Sequence, residues 1–218
     1  MMSAYLALLA LHLIVVVCYQ MGLDSDRLPR LYSRFFFDQE ANIPTYFSSV
    51  ILLMAGALLA LIASMKKLIG DRWTMHWKIL AVGFVLMSVD ESAVLHEMFN
   101  KPLAKLGSFS GYLAFGWVLM GMAIALLLAV TYSRFLWALP AAVRRGFVMS
   151  AVIFLGGALG TEMVGARLAI DPEVGTASLA YMMLVTIEES MEMLGIILFI
   201  SVLVNYLKSQ STKLALTD

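Results

Sequence analysis

Residues 88–97 read SVDESAVLHE and residues 186–195 read TIEESMEMLG, both inside long apolar runs. Carboxylates and an imidazole in such company can do two kinds of chemistry. They can ligate a cation, or they can hold and pass protons. On a helix turning 100° per residue, Asp90 and Glu97 are seven apart and share a face, with Glu91 and His96 flanking it. Glu188, Glu189 and Glu192 fall on one stripe through their three- and four-residue spacings. Glu162, in LGTEMVGARL, adds a carboxylate from a further apolar run.

The elements that must position these residues follow from composition. Of 218 residues, 61% are hydrophobic and 14% charged, against about 25% charged in a soluble domain. The apolar residues gather in runs near twenty long, the length that spans a bilayer. The expected fold is all-α, one integral membrane domain over 1–218, with spans at about 4–23, 44–64, 77–99, 112–132, 146–168 and 178–207. Net charge is zero and no Lys/Arg-rich tract occurs, which excludes nucleic acid as a partner. The lone Cys18 rules out an intramolecular disulfide. The first run has no basic leader and no small-residue cleavage site, so it reads as a retained helix.

Six spans put both termini on one side. Lys66, Lys67, Arg72, Lys78, Arg134, Arg144, Arg145, Lys208 and Lys213 lie on that side, and Arg27, Arg30, Arg34, Lys101, Lys105 and Arg167 on the other. Nine against six favours cytoplasmic termini in a bacterial inner membrane. In the first external loop, Leu28, Leu31, Tyr32, Phe35 and Phe36 recur at helical spacing opposite Arg27, Arg30 and Arg34, predicting a short amphipathic helix in the interface. Asp24, Asp26, Asp38 and Glu40 read as acids of that same external loop. Gly156 and Gly160 form a GxxxG step suited to close helix packing.

Counted from the external ends at 1.5 Å per residue, Asp90, Glu188 and His12 lie about 14–15 Å deep and Glu162 about 9 Å. The acids of three spans thus fall in one outer layer. A carboxylate at mid-bilayer costs roughly 2.5–3.5 kcal/mol on insertion scales. Seven of them cannot all be ionised beside one His and one Arg, so they face water, share protons or bind cations. Arg167 is expected to neutralise Glu162 or a neighbour across the interface. The bland reading, protonated acids as packing glue, suits any one of them better than all seven. His12 reads as packing and His76 as a loop residue.

Other chemistries fit less well. No lysine sits deep enough for a retinal linkage, and the methionines read as core or lipid-facing, since hard oxygen donors outnumber soft ones. Dinuclear carboxylate sites in bundles use Glu-x-x-His, whereas His96 follows Glu91 by five residues.

The stretches EANIPTYFSS (40–49), SVDESAVLHE and EESMEMLG resemble those of a group of multispanning bacterial membrane proteins that carry no assigned activity. The resemblance runs from about Phe37 into the sixth span and implies a membrane location without a chemistry. The residues themselves point to a carboxylate-rich cation site, with a divalent metal (Fe, Mn or Zn) as cofactor and the bilayer as partner. Its expected ligands are Asp90, Glu91, His96, Glu97, Glu162, Glu188, Glu189 and Glu192, and a metal-dependent membrane enzyme is within its reach. The alternatives are a proton- or cation-translocating transporter and a structural membrane subunit with protonated acids. Ionisable residues are sparse in the inner halves of the spans, which favours a one-sided site over conduction.

Overall fold

The computed structural model describes residues 1–23, 28–99 and 110–215, with the side chains of Glu97, Phe99 and 211–215 outside the described set. Its elements are α1 (Met2–Gln20), α2 (Leu28–Phe35), α3 (Ile43–Leu68), α4 (Thr74–Ala93), α5 (Trp117–Ala138), α6 (Ala141–Leu155), α7 (Glu162–Ala169) and α8 (Leu179–Ala215). A π-helical segment, Gly156–Thr161, joins α6 to α7. Among the described residues there is no strand. Five helical stretches are long and apolar enough to cross a membrane: Met2–Gln20, Ile43–Leu68, Trp117–Ala138, Ala141–Ala169 and Leu179–Gln210. The chain is therefore an all-helical protein compatible with a bilayer. Lys78, Asp90 and Glu91 make α4 less apolar than these five.

α8 is the central helix and packs against α1, α3, α6, the π segment and α7. Its apolar residues Met193, Ile196, Ile200 and Leu203 are buried in a core shared with Ile51, Ala55, Leu59 and Ile62 of α3. α4 lies antiparallel along α3. Gly56 permits this approach, since a Cβ there would come 3.0 Å from Val85 and 3.2 Å from the Ala81 carbonyl. Further along, the Ser49 hydroxyl donates to the Ser88 carbonyl (2.8 Å), and the Ser88 hydroxyl to the Ser49 carbonyl (2.8 Å).

Several boundaries depart from the sequence reading for local reasons. α3 begins at Ile43 because the Asn42 side chain accepts the Thr45 N–H at 3.0 Å, a cap worth about 1 kcal/mol. The third span, expected to reach Phe99, is helical only to Ala93. Val94 turns left-handed (φ 53°) and donates to the Asp90 carbonyl at 2.7 Å. A β-branched residue rarely adopts that conformation. The Asp90 carboxylate compensates by drawing the following turn, His96–Phe99, back over the helix end. Asp90 consequently sits about 5 Å from its helix terminus, not 14 Å. The fourth span starts at Trp117 rather than Tyr112, which belongs to a separate short turn, Gly111–Leu113.

The fifth span begins at Ala141, just after Pro140, and its close contact does not use the predicted glycine pair. Gly156 and Gly157 face α8, whereas Gly160 has nothing within 4 Å. The π segment adds a residue to the turn and so changes which positions face the neighbour.

Candidate functional site

Two consecutive aromatics, Phe36 and Phe37, are buried and draw the loop 36–42 in between α1, α3 and α8, with Asp38 and Glu40 still exposed on it. His12 holds this loop. Its Nδ1 accepts the Phe37 N–H at 3.1 Å and its ring stacks on Phe37, centroids 4.0 Å apart. With Nδ1 accepting, the proton is on Nε2, which donates to Thr186 Oγ1 at 2.7 Å, and Thr186 in turn donates to the Met182 carbonyl. His12 is therefore a neutral, fully satisfied clamp between α1, the loop and α8, and takes no part among the acids.

The inward loop delivers Asp38 and Glu40 to the acids of α4 and α8. Tyr181 donates its hydroxyl to Asp38 Oδ1 at 3.2 Å. Glu91 lies beside Ser48 of α3 and is within electrostatic reach of Glu40 and His96. Glu189 is within reach of Glu192, Glu91, Glu188 and Glu40. Glu192 is within reach of Glu91 and Glu162, and Glu188 of Glu162, Glu192 and Asp38. The four carboxyl groups of Glu91, Glu188, Glu189 and Glu192 are half-buried. Among the described residues, no salt bridge reaches any of the four.

Asp90 is turned elsewhere. It accepts the His96 N–H at 2.8 Å, and its Oδ2 lies 3.0 Å from His96 Nδ1. A carboxylate on Nδ1 fixes the tautomer that leaves the lone pair on Nε2, the arrangement found behind histidine metal ligands. His96 packs at a tilt against Trp117 (centroids 4.7 Å), and the Trp117 indole N–H donates to Glu162 Oε1 at 3.1 Å. Trp117 thus ties the start of α5 to α7 and to the turn that follows α4. Glu97, the remaining expected ligand, has its side chain outside the described residues. Arg167 pairs with Asp171 at 3.1 Å, one helical turn on, rather than with Glu162. Four residues bring two side chains onto one helix face, whereas five do not.

Asp38, Glu40, Ser48 and Trp117 were not among the expected site residues. Loop acids ordinarily read as solvated, and only the paired aromatics before them hint at a segment folded inward. Among the described residues, no group of three His, Cys, Asp or Glu side chains is arranged to hold a metal ion. The acids are instead spread over three helices and a loop.

A glycine makes the approach of the fifth span possible. A Cβ on Gly157 would fall 2.8 Å from the Glu188 carbonyl and 3.1 Å from Glu192 Cγ. Gly157→Ala is expected to destabilise the protein by about 1–3 kcal/mol through overpacking. Gly160→Ala, in open space, should be neutral. Thermal unfolding of the two variants in one detergent checks the contrast, and equal midpoints would mean the spans do not cross there.

A family model, domain of unknown function DUF8692, matches residues 5–207. The chain belongs to the DUF8692 family. No curated protein and no solved structure matches it. The match embraces every DUF8692 element carrying an acid of the cluster, from the inward loop to α8.

Proposed function

We propose that the protein is a six-span inner-membrane protein whose outer layer binds a cation through clustered carboxylates. The observation that carries this reading is the meeting of Glu91, Glu188, Glu189 and Glu192 without a salt bridge among the described residues. Like charges this close and partly withdrawn from water need a positive partner. A divalent metal such as Fe, Mn or Zn would take Glu91, Glu189 and Glu192 as oxygen ligands after short side-chain movements. His96 would add Nε2, held by Asp90. Glu162, Glu188 and Glu97 would serve as further ligands or as acceptors that orient them. Elemental analysis of protein purified without added metal tests the proposal. A divalent metal in near-stoichiometric amount supports it, and metal-free preparations that also fail to take up Fe, Mn or Zn would sink it.

One observation favours a second reading. Glu188 lies within electrostatic reach of both Glu162 and Glu192, and carboxyl groups that close together are relieved by sharing a proton. In this reading the cluster holds protons and serves a relay.

The span beyond these five would be α4, third in chain order. It runs beside α3 through the same layer and turns Ile79, Val82, Leu86 and Val89 outward, each about half exposed. α2 would lie in the interface, with Arg30 and Arg34 outward and Tyr32 and Phe35 against the buried cluster of Val15, Val16 and Phe36. With six spans, the basic residues at the α3–α4 and α5–α6 turns would put both termini in the cytoplasm. A reporter fused after Asp218 should work only if it needs the cytoplasm. Activity of a periplasm-dependent reporter at that position would reverse the orientation.

A further inference from the structure

At the opposite end of the bundle from the acids, an open cleft of about 450 Å³ is lined by Arg72, Trp73, Arg134 and Trp137. It lies between the turn that starts α4 and the last turn of α5. Nearby, Tyr132 donates to the His76 carbonyl at 3.1 Å, and Phe135 packs against Trp73 and Trp77. We infer that this cleft binds the phosphate-bearing headgroup of an anionic phospholipid. Two arginines from separate elements face one concavity, and among the described residues neither has an acidic partner. The nearby Asp71 is engaged by Lys66 at 3.4 Å and by the Trp73 N–H at 2.7 Å. The Arg72 guanidinium lies over the Trp73 ring, 4.9 Å from its centroid, and its planar fork suits a bidentate phosphate contact. Arg144 is already committed to the Trp137 ring and carbonyl.

The occupant is a lipid rather than a free phosphate because of the tryptophans. Trp137 is 74% exposed at the end of a span, where an indole belongs at the headgroup level of a bilayer. A lone phosphate would satisfy the arginines and leave most of that ring, beyond the face Arg144 covers, exposed, whereas a headgroup with its glycerol and chains covers both. Basic pockets between spans on the cytoplasmic side are where such headgroups bind. This site is independent of the acidic cluster and of what that cluster carries.

Full-length protein in neutral detergent, offered equal phosphatidylglycerol and phosphatidylcholine, is the test, with retained lipid counted by native mass spectrometry. The expected result is a preference of about thirtyfold for phosphatidylglycerol, the effect of two arginines beside an anionic headgroup. R72Q/R134Q should bring the two lipids near parity. K67Q/K78Q, which removes equal charge from the same face but lines no part of the cleft, should leave the preference intact. Excess inorganic phosphate should not displace the lipid. No preference in the wild-type protein would overturn the inference whatever the variants do. So would an equal loss in both double variants, which means diffuse charge, or displacement by phosphate, which means a free-anion site.

Discussion

Replacing Glu189 and Glu192 together by Gln is expected to remove bound divalent metal and to lower the thermal stability of protein prepared with metal present. Both side chains are half-buried on α8 and face Glu91 across the α4–α8 junction. Gln keeps the volume and one acceptor oxygen but loses the charge, so a carboxylate site would forfeit two of its strongest ligands. The same model predicts that metal leaves wild-type protein as pH falls, because protons and metal compete for one set of oxygens. Protonated acids give the opposite pattern. Gln resembles a neutral carboxylic acid in shape and hydrogen bonding, so the double variant would be as stable as wild type, or more so. Metal would then be absent from both proteins. Metal content and unfolding midpoint, read on the same preparations, separate the two readings of the cluster.

His12→Ala is expected to cost about 3–5 kcal/mol, the range for deleting a buried aromatic ring. The ring is fully buried and stacked on Phe37. Its loss also orphans the Phe37 N–H, a penalty of about 1–3 kcal/mol if nothing replaces the acceptor. At the scale of a chain this size, the unfolding midpoint should fall by about 10 °C or more. His12→Phe, which restores the volume but neither hydrogen bond, should recover only part of that loss. The damage should also reach the cluster, because the loop clamped by His12 carries Asp38 and Glu40. A His12→Ala protein that melts like wild type would show that the loop is held by something other than this clamp.

Much of this arrangement is legible in the residues, and the parts that are not have identifiable causes. The stripe of Glu188, Glu189 and Glu192 follows from helical periodicity within a long apolar run, and α8 carries all three. The end of α4 does not follow. Asp90 occupies a helical position by pattern, yet its carboxylate bonds to His96 and turns the chain there. Local side-chain bonding of this kind competes with helix continuation and leaves no periodic trace. The inward course of residues 36–42 is hidden for another reason. It depends on a bond from Phe37 to His12, 25 positions earlier, and no local pattern reports a partner so distant. Trp117 escaped notice because its indole serves the site from the first turn of a span that is otherwise plainly apolar.

The wide turn at Gly156–Thr161 works as a vernier on everything that follows it. An ordinary α-helix through these positions would advance the chain by one residue less per bonded ring, and Glu162 would be out of phase by roughly 100°. The phase error would not be felt upstream, where Phe154 is already seated against Gly195. It would fall wholly on the outer third of the span, swinging Glu162 off the Trp117 indole and away from Glu188. A single-residue deletion here would therefore leave a helix of nearly the same length and apolarity, still able to cross the membrane, with its carboxylate pointing the wrong way. The alignment of the acids across two neighbouring spans is set by this one irregular turn, as a key is cut by the depth of a single notch.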